Sequence, residues 1–219
     1  MNKLVAILPV RNFDYYIDKK NLLPFADTNL LVYKIRQLKK VSRIDDIIIC
    51  SDDEKLENLS NEENVSFLKR EISDIHKDSF PALISSVLNS VKSEHILWAN
   101  CCTPFVTEEV YNNAINVYEE KIKEKYDSLI SVLPFKKFVI DDNGPLNFHK
   151  GLRHKETRNL NQLYFWIPAI SLAKRKDMIS WQYTWGNIPY KFTLSQKEAT
   201  EIKKADDLYL AELYEEADE

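Results

Sequence analysis

Residues 3–25 read KLVAILPVRNFDYYIDKKNLLPF. The first eight make a short, continuous, β-branched apolar run, which reads as a buried strand. The next stretch opens like a phosphate-binding loop, with Arg11, a polar turn, and then Lys19 and Lys20. Such loops ordinarily use glycine to bring backbone N–H groups close to phosphate. This one has none, and the first glycine of the chain is Gly144. Any site in the N-terminal half is therefore built without a Walker-type or dinucleotide-type glycine loop.

Further strands come in IDDIIICS (44–51), which reads as buried, in the short VSFLKR (65–70), in HILWANCCTPF (95–105), which runs into a polar turn, and in the long SLISVLPF (128–135). LYFWIPAISL (163–172) is another, its Pro168 marking an edge or a bulge, and NIPYKFTLS (187–195) is the last. Between them lie helical patterns. NLLVYKIRQLKKV (29–41) has Leu31, Ile35 and Leu38 at helical spacing with its lysines outside. SFPALISSVLNSV (79–91) carries Pro81 near its first turn, and TEEVYNNAINVYEEKIKEKY (107–126) has Thr107 as a cap. ADDLYLAELYEE (205–216) closes the chain with Asp206 or Asp207 near its start. Near-continuous apolar strands alternating with helices predict an α/β fold, a mostly parallel sheet covered on both faces.

At 219 residues the chain suits a single domain, 1–219, with a modest excursion. That excursion is residues 136–163, which are polar, hold Gly144, Pro145 and Gly151, show little helical period and read as a ribbon. A net charge of −4 argues against nucleic-acid binding by counterion release. No apolar run approaches a membrane span, and the N-terminus lacks a signal-peptide cleavage pattern. Cys50, Cys101 and Cys102 fit neither a disulfide framework nor a zinc site, so a reducing cytoplasm is the default. With no cationic partner near in sequence, Cys101 and Cys102 read as small buried fillers. His76, His95, His149 and His154 show no metal-ligand spacing.

Open parallel sheets bind ligands at the carboxyl ends of their strands. Those ends here gather Arg11, Lys19, Lys20 and Arg70 with Asn21, Ser79, Asn100 and Thr103. Cations in such a mouth suit a polyphosphate, whose charge they offset. A solvated KK pair is the plainer reading of Lys19 and Lys20 taken alone.

At these residues the chain resembles the acylneuraminate cytidylyltransferase family, with the CMP-Kdo synthetases further off. The family opens with P-A-R-x-G-S-K-x-x-P-x-K-N, and here Pro9-Val10-Arg11 and Lys20-Asn21 stand at that spacing. CSDDEKL is similar to the family's S-T-D-D-E run, and Arg70 followed by Asp78-Ser79 to its arginine and D-T/S-S helix start. NCCTPFVTEEV resembles Q-P-T-S-P-L-R, and EATEIKKADDLYLAEL the ending S-x-D-I-D-T-x-x-D-x-x-x-A-E.

The resemblance implies a Rossmann-like nucleotidyltransferase fold, a homodimer, and transfer of CMP from CTP to an acidic sugar with loss of pyrophosphate and magnesium assisting. It implies phosphate contacts from Arg11 and Lys20. Nucleotide contacts would come from Leu8, Pro9, Val10, Asn21, Arg70 and Ser79. On the acceptor side it implies Asn100, with Arg153 or Arg158 reaching an acceptor carboxylate across the dimer, and Tyr164 is a further candidate there from its own residue type. Of Tyr164, Phe165 and Trp166, strand packing is the first reading and ligand contact the second.

Two departures bear on mechanism. The family's G-S-K becomes Phe13-Asp14-Tyr15, which removes a lysine and adds an acid that repels a triphosphate unless offset. The family's D-I-D becomes Glu201-Ile202-Lys203, leaving Glu201 as metal ligand. Lys203 cannot ligate a cation but can stand in for one. Two alternatives remain open: a nucleotidyltransferase for another small acid such as a phosphonate, or a non-catalytic nucleotide- or sugar-binding relative.

Overall fold

The computed structural model describes residues 3–11, 17, 19–70 and 80–217. Among them, seven strands form one sheet: β1 (Leu4–Pro9), β2 (Asp46–Ser51), β3 (Ser66–Lys69), β4 (His95–Trp98), β5 (Ser128–Phe135), β6 (Leu163–Lys174) and β7 (Pro189–Thr193). Their order across the sheet is β7-β5-β6-β4-β1-β2-β3. β6 runs antiparallel to both neighbours, and every other pair is parallel.

Strand alternation divides the core in two. Leu4, Ala6 and Leu8 of β1, Ile47 and Ile49 of β2, and Leu97 of β4 face one side. There they meet Leu31, Ile35 and Leu38 of α1 (Leu30–Lys39), Leu56 of α2 (Lys55–Glu62) and Ala114 and Ile115 further along the chain. Val5, Ile7, Ile48, Ile96 and Trp98 face the other side, against Leu83, Ile84, Val87 and Leu88 of α3 (Phe80–Ser90). Ala114 and Ile115 belong to α4 (Glu108–Lys121), while α5 (Arg175–Trp181) adds Met178 to the second cluster. The chain ends in α6 (Ala205–Glu216), whose Ala211 joins the first. The mostly parallel sheet with helices on both faces is as the sequence predicts.

Several expectations are corrected. The lysines of α1 do not all lie outside: Lys39 and Lys40 are exposed, but Lys34 is fully buried. Of the two readings of Pro168, an edge or a bulge, the bulge holds: β6 lies inside the sheet, and register shifts between Trp166 and Ser171. Ser131 of β5 fills that irregularity. Its Oγ donates to Ile167 O at 2.6 Å and accepts from Ile170 N at 2.9 Å, pairing backbone groups the ladder has released.

The run at 95–105 leaves the sheet after Trp98, and α2 and α5 are helices where the sequence pattern predicts none. Thr107 holds the N-cap position of α4 without a side-chain bond, whereas Asn29 caps α1 by accepting from Val32 N at 3.0 Å. The excursion is a minimal ribbon, Ile140–Asp141 with Gly144–Pro145, followed by two 3-10 turns, and Leu163 already belongs to β6. No helix among the described residues is long and apolar enough to cross a membrane.

Candidate active site

Parallel pairing of β1 with β2 and β4 carries the chain to one rim of the sheet. Val10 N still donates to Cys50 O at 2.9 Å and Ala99 N to Ile7 O at 3.0 Å, so both neighbours end level with β1. Just beyond, Pro9 and Arg11 project into a cleft of about 240 Å3. Lys20 and Asn21 reach it from a 3-10 turn, Lys20–Leu22, that starts at Lys19 with φ 51° and closes through Leu22 N to Lys19 O at 2.8 Å. β4 supplies Trp98, and the turn after it Asn100 and Cys102. Ile202 N donates to Cys102 O at 2.8 Å, which seats Glu201 on the same wall.

The far wall is apolar. Trp166, Pro168 and Ser171 come from the β6 bulge, Phe80 and Leu83 from α3, and Thr184 from the turn after α5. Aromatic rings support it edge to face: Phe80 packs on Trp98 at 6.2 Å and on Tyr183 at 5.1 Å, and Tyr183 on Trp185 at 5.3 Å. The turn is tight at Gly186, where a Cβ would come within 2.5 Å of Asp127 Oδ2.

The cleft therefore joins Pro9, Arg11, Lys20, Asn21, Asn100 and Glu201 of the residues singled out in the sequence. The side chains of Leu8 and Val10 turn into the core, and the N–H of Val10 is taken by Cys50 O. Arg70 is buried at the end of β3, its N donating to Ser51 O at 2.7 Å, and does not line the cleft. Tyr164 lies under Lys191, 5.8 Å from ammonium to ring centre, and Arg158 pairs with Glu156 at 2.5 Å. Those two and the exposed Arg153 stand outside the cleft of their own chain. Ser79, Asp78 and Phe13-Asp14-Tyr15 lie outside the described residues. Of Tyr164, Phe165 and Trp166, Trp166 lines the cleft. Ser171 and Thr184 gave no signal, because each becomes a wall only through a bulge or a turn built from distant sequence.

The metal expectation meets a different arrangement. The segment holding Glu201 and Lys203 is not in the sheet, and Lys203 Nζ bridges Glu201 Oε2 at 2.8 Å. Glu201 is 15% exposed and Lys203 58%. Lys203 N and Lys204 N both donate to Asp207 Oδ2 at 3.0 Å, fixing the backbone beneath them. One carboxylate already neutralised by an ammonium is a poor donor set for a hard dication. Among the described residues no group of three His, Cys, Asp or Glu side chains could hold a metal ion. These residues do not fit a protein-held magnesium ion.

Comparison with known proteins bears on the family and the fold. A model of the MobA-like NTP transferase domain family matches residues 16–132. N-acylneuraminate cytidylyltransferase of Escherichia coli is 23% identical over 216 residues, 95% of this chain and 51% of that protein, so the chain spans about half of its length. Pseudaminic acid cytidylyltransferase of Campylobacter jejuni is 20% identical over 222 residues, 96% of this chain and 95% of that one. Among solved structures, CMP:2-keto-3-deoxy-manno-octonic acid synthetase complexed with CTP superimposes with a TM-score of 0.74 at 9% identity, covering 99% of this chain and 100% of the other. The last likeness shows a shared nucleotidyltransferase fold.

Beneath the cleft lies the buried Lys34. Its Nζ donates to Val106 O at 3.2 Å and stands 5.1 Å from the Tyr111 ring centre. Cys101 and Cys102 are therefore not without a cation nearby, although the sequence keeps it far away. Burial lowers the Lys34 pKa from 10.5 to about 7, against a smaller opposing influence of the two cysteines. Burial likewise pushes the Cys101 thiol up, so it stays protonated. Between the two Lys34 values the unfolded chain binds a proton that the folded chain does not. Stability should thus rise with pH from about 7 toward 10.5 and be lowest below that window, by on the order of a few kcal/mol. Lys34→Met should flatten this slope and raise Tm near neutral pH. Urea unfolding across the window checks it; identical slopes in the two proteins would refute it.

Proposed function

The chain belongs to the MobA-like NTP transferase family, as a distant relative of sugar-acid cytidylyltransferases, and on that premise we propose that it transfers CMP from CTP to a nonulosonic-acid-like sugar. The observation that carries this reading is the convergence of Arg11, Lys20, Asn21, Asn100 and Glu201 on one cleft at the carboxyl rim of β1 and β4. A hydroxyl oxygen of the acceptor forms the new bond to the α-phosphorus and gives up its proton to solvent, the bond to the β-phosphate oxygen breaks, and pyrophosphate leaves. Such chemistry asks the protein for positioning and charge stabilisation more than for a covalent role.

Arg11 and Lys20 offset the triphosphate, and Asn21 holds the nucleotide beside Pro9. The acceptor then lies toward β6, between Asn100 and the aromatic wall. Glu201 is the carboxylate of the cleft wall, and its pairing with Lys203 leaves any metal assistance to be supplied with the nucleotide. Lys203 is able to exchange Glu201 for phosphate. The Glu201–Lys203 pair also favours the second reading, a binding protein that has given up turnover.

The acceptor site is completed by a second copy of the chain. The excursion exposes Ile140 at 69% and Leu146 at 63%, apolar surface that a dimer interface would cover. Arg153 and Arg158 stand on that excursion, and across such an interface they would meet the acceptor's carboxylate. Light scattering at micromolar concentration should report a dimer; a monomer removes this part of the proposal.

Pyrophosphate release with CTP and a panel of nonulosonic acids, Kdo and phosphonates tests the reaction. Release should require CTP and a nonulosonic acid. Arg11→Ala and Lys20→Ala should each lower kcat/KM by about 10- to 100-fold with little change in Tm, as expected when an open cleft gives up a single charged interaction with phosphate. Preference for a phosphonate supports the other transferase, and CTP binding without release from any acceptor supports the binding protein.

Metal dependence is read separately. Without nucleotide, manganese should bind the wild-type protein weakly by electron paramagnetic resonance, and Lys203→Asp should create a site by restoring two carboxylates. Tight binding by the wild type, or no gain in the variant, makes Lys203 a bystander.

A further inference from the structure

Lys34 is the one lysine among the described residues with no exposed surface, and nothing in the transfer chemistry uses it. Its amino group, an ammonium with three N–H donors only below about pH 7, has one carbonyl, Val106 O, and the face of Tyr111 for partners. Taking an ammonium out of water for so little costs more than it returns. A methionine would fill the same space without that cost. Stability does not account for the residue.

Position does. Gln37 lies three residues after Lys34, on the same face of α1, and its Nε2 donates to Pro104 O at 2.6 Å. The two side chains thus grip a single turn, residues 101–106, by alternate carbonyls. The next carbonyl back, Cys102 O, accepts the N–H of Ile202 at 2.8 Å, and Thr103 Oγ1 closes the turn on Asn100 O at 3.1 Å. On its upper side the same turn presents Asn100 and Cys102 to the cleft, with Glu201 beside them.

We propose that Lys34 is a positioning residue: from beneath the cleft it holds the turn 101–106 in place, and through that turn it fixes Asn100 and Glu201. Its consequence for turnover rests on the transferase reading, but the brace itself does not.

Hydrogen exchange tests it without substrate. In Lys34→Met the Ile202 amide should exchange at least about tenfold faster, while the Ala99 amide, bonded to Ile7 O in the sheet, keeps its wild-type rate. Tm should not fall. With CTP and an acceptor, kcat should drop while affinity for inorganic tripolyphosphate, held on the β1 side by Arg11 and Lys20, stays unchanged. A residue that only supports the fold would lower Tm and speed both amides together.

Unchanged Ile202 exchange overturns the proposal whether or not the wild type turns over. If Lys34→Met does not fold, Gln37→Ala loosens the same turn from its other carbonyl. Selective acceleration at Ile202 in that variant then supports the brace, and ordinary exchange there overturns it. Absence of pyrophosphate release from the wild type would count against the transferase reading alone.

Discussion

Hydrogen bonding of β1 on both edges is the constraint on which the rest depends. Its register pairs Val5 with Asp46 and with Ile96, so both neighbours are set by the same few amides. A slip of one residue on either side would turn Leu4, Ala6 and Leu8 toward the wrong helix layer. The apolar alternation forbids that slip, and the height at which Pro9 and Arg11 leave the sheet is set by it. Asn100 leaves β4 at the same rim, because β4 runs parallel to β1. The convergence of cations with an amide is thus a product of sheet register, not of any local loop motif.

β6 completes the rim by running the other way. Ser171 stands opposite Trp98 and Lys174 opposite His95, so the bulge ahead of Ser171 overhangs the cleft rather than the far edge. A strictly parallel β6 would bring its carboxyl end there instead, and with it a loop. The reversal offers a rigid wall of strand residues, and Ser131 gives the bulge its hydrogen bonds from inside the sheet.

Much of this is legible in the sequence, and the failures have physical causes. Runs such as IDDIIICS show their double burial directly, and Leu31, Ile35 and Leu38 show the buried face of α1. Strand direction is invisible in such runs, since a strand covered on both faces is equally apolar whichever way it points; only the helix-free excursion before β6 leaves room for an antiparallel neighbour. The helices α2 and α5, eight and seven residues long, present too few apolar positions to show a period. Site residues at the ends of strands are within reach, because topology puts strand ends together. Ser171, Thr184 and Lys34 are not, because each acts through partners distant in sequence. A solvated Lys34 is the natural expectation, since lysines almost always are solvated.

The absence of glycine from the opening loop changes what the rest of the site has to supply. A glycine loop binds phosphate with backbone dipoles whose positions are fixed by the chain itself. Arg11, Lys20 and Lys203 are point cations on flexible stems, stronger at a distance but dependent on neighbours for aim, and each loses side-chain entropy when it engages. Cations of that kind can neutralise a triphosphate without orienting it. Orientation would then fall to the parts of the rim held by the fold itself: Asn21 buried in its 3-10 turn, the β6 bulge, and the turn after β4 that bears Asn100. The buried Lys34 against that last turn is costly to the fold, and it stands behind the wall of the cleft that bears Asn100 and Glu201.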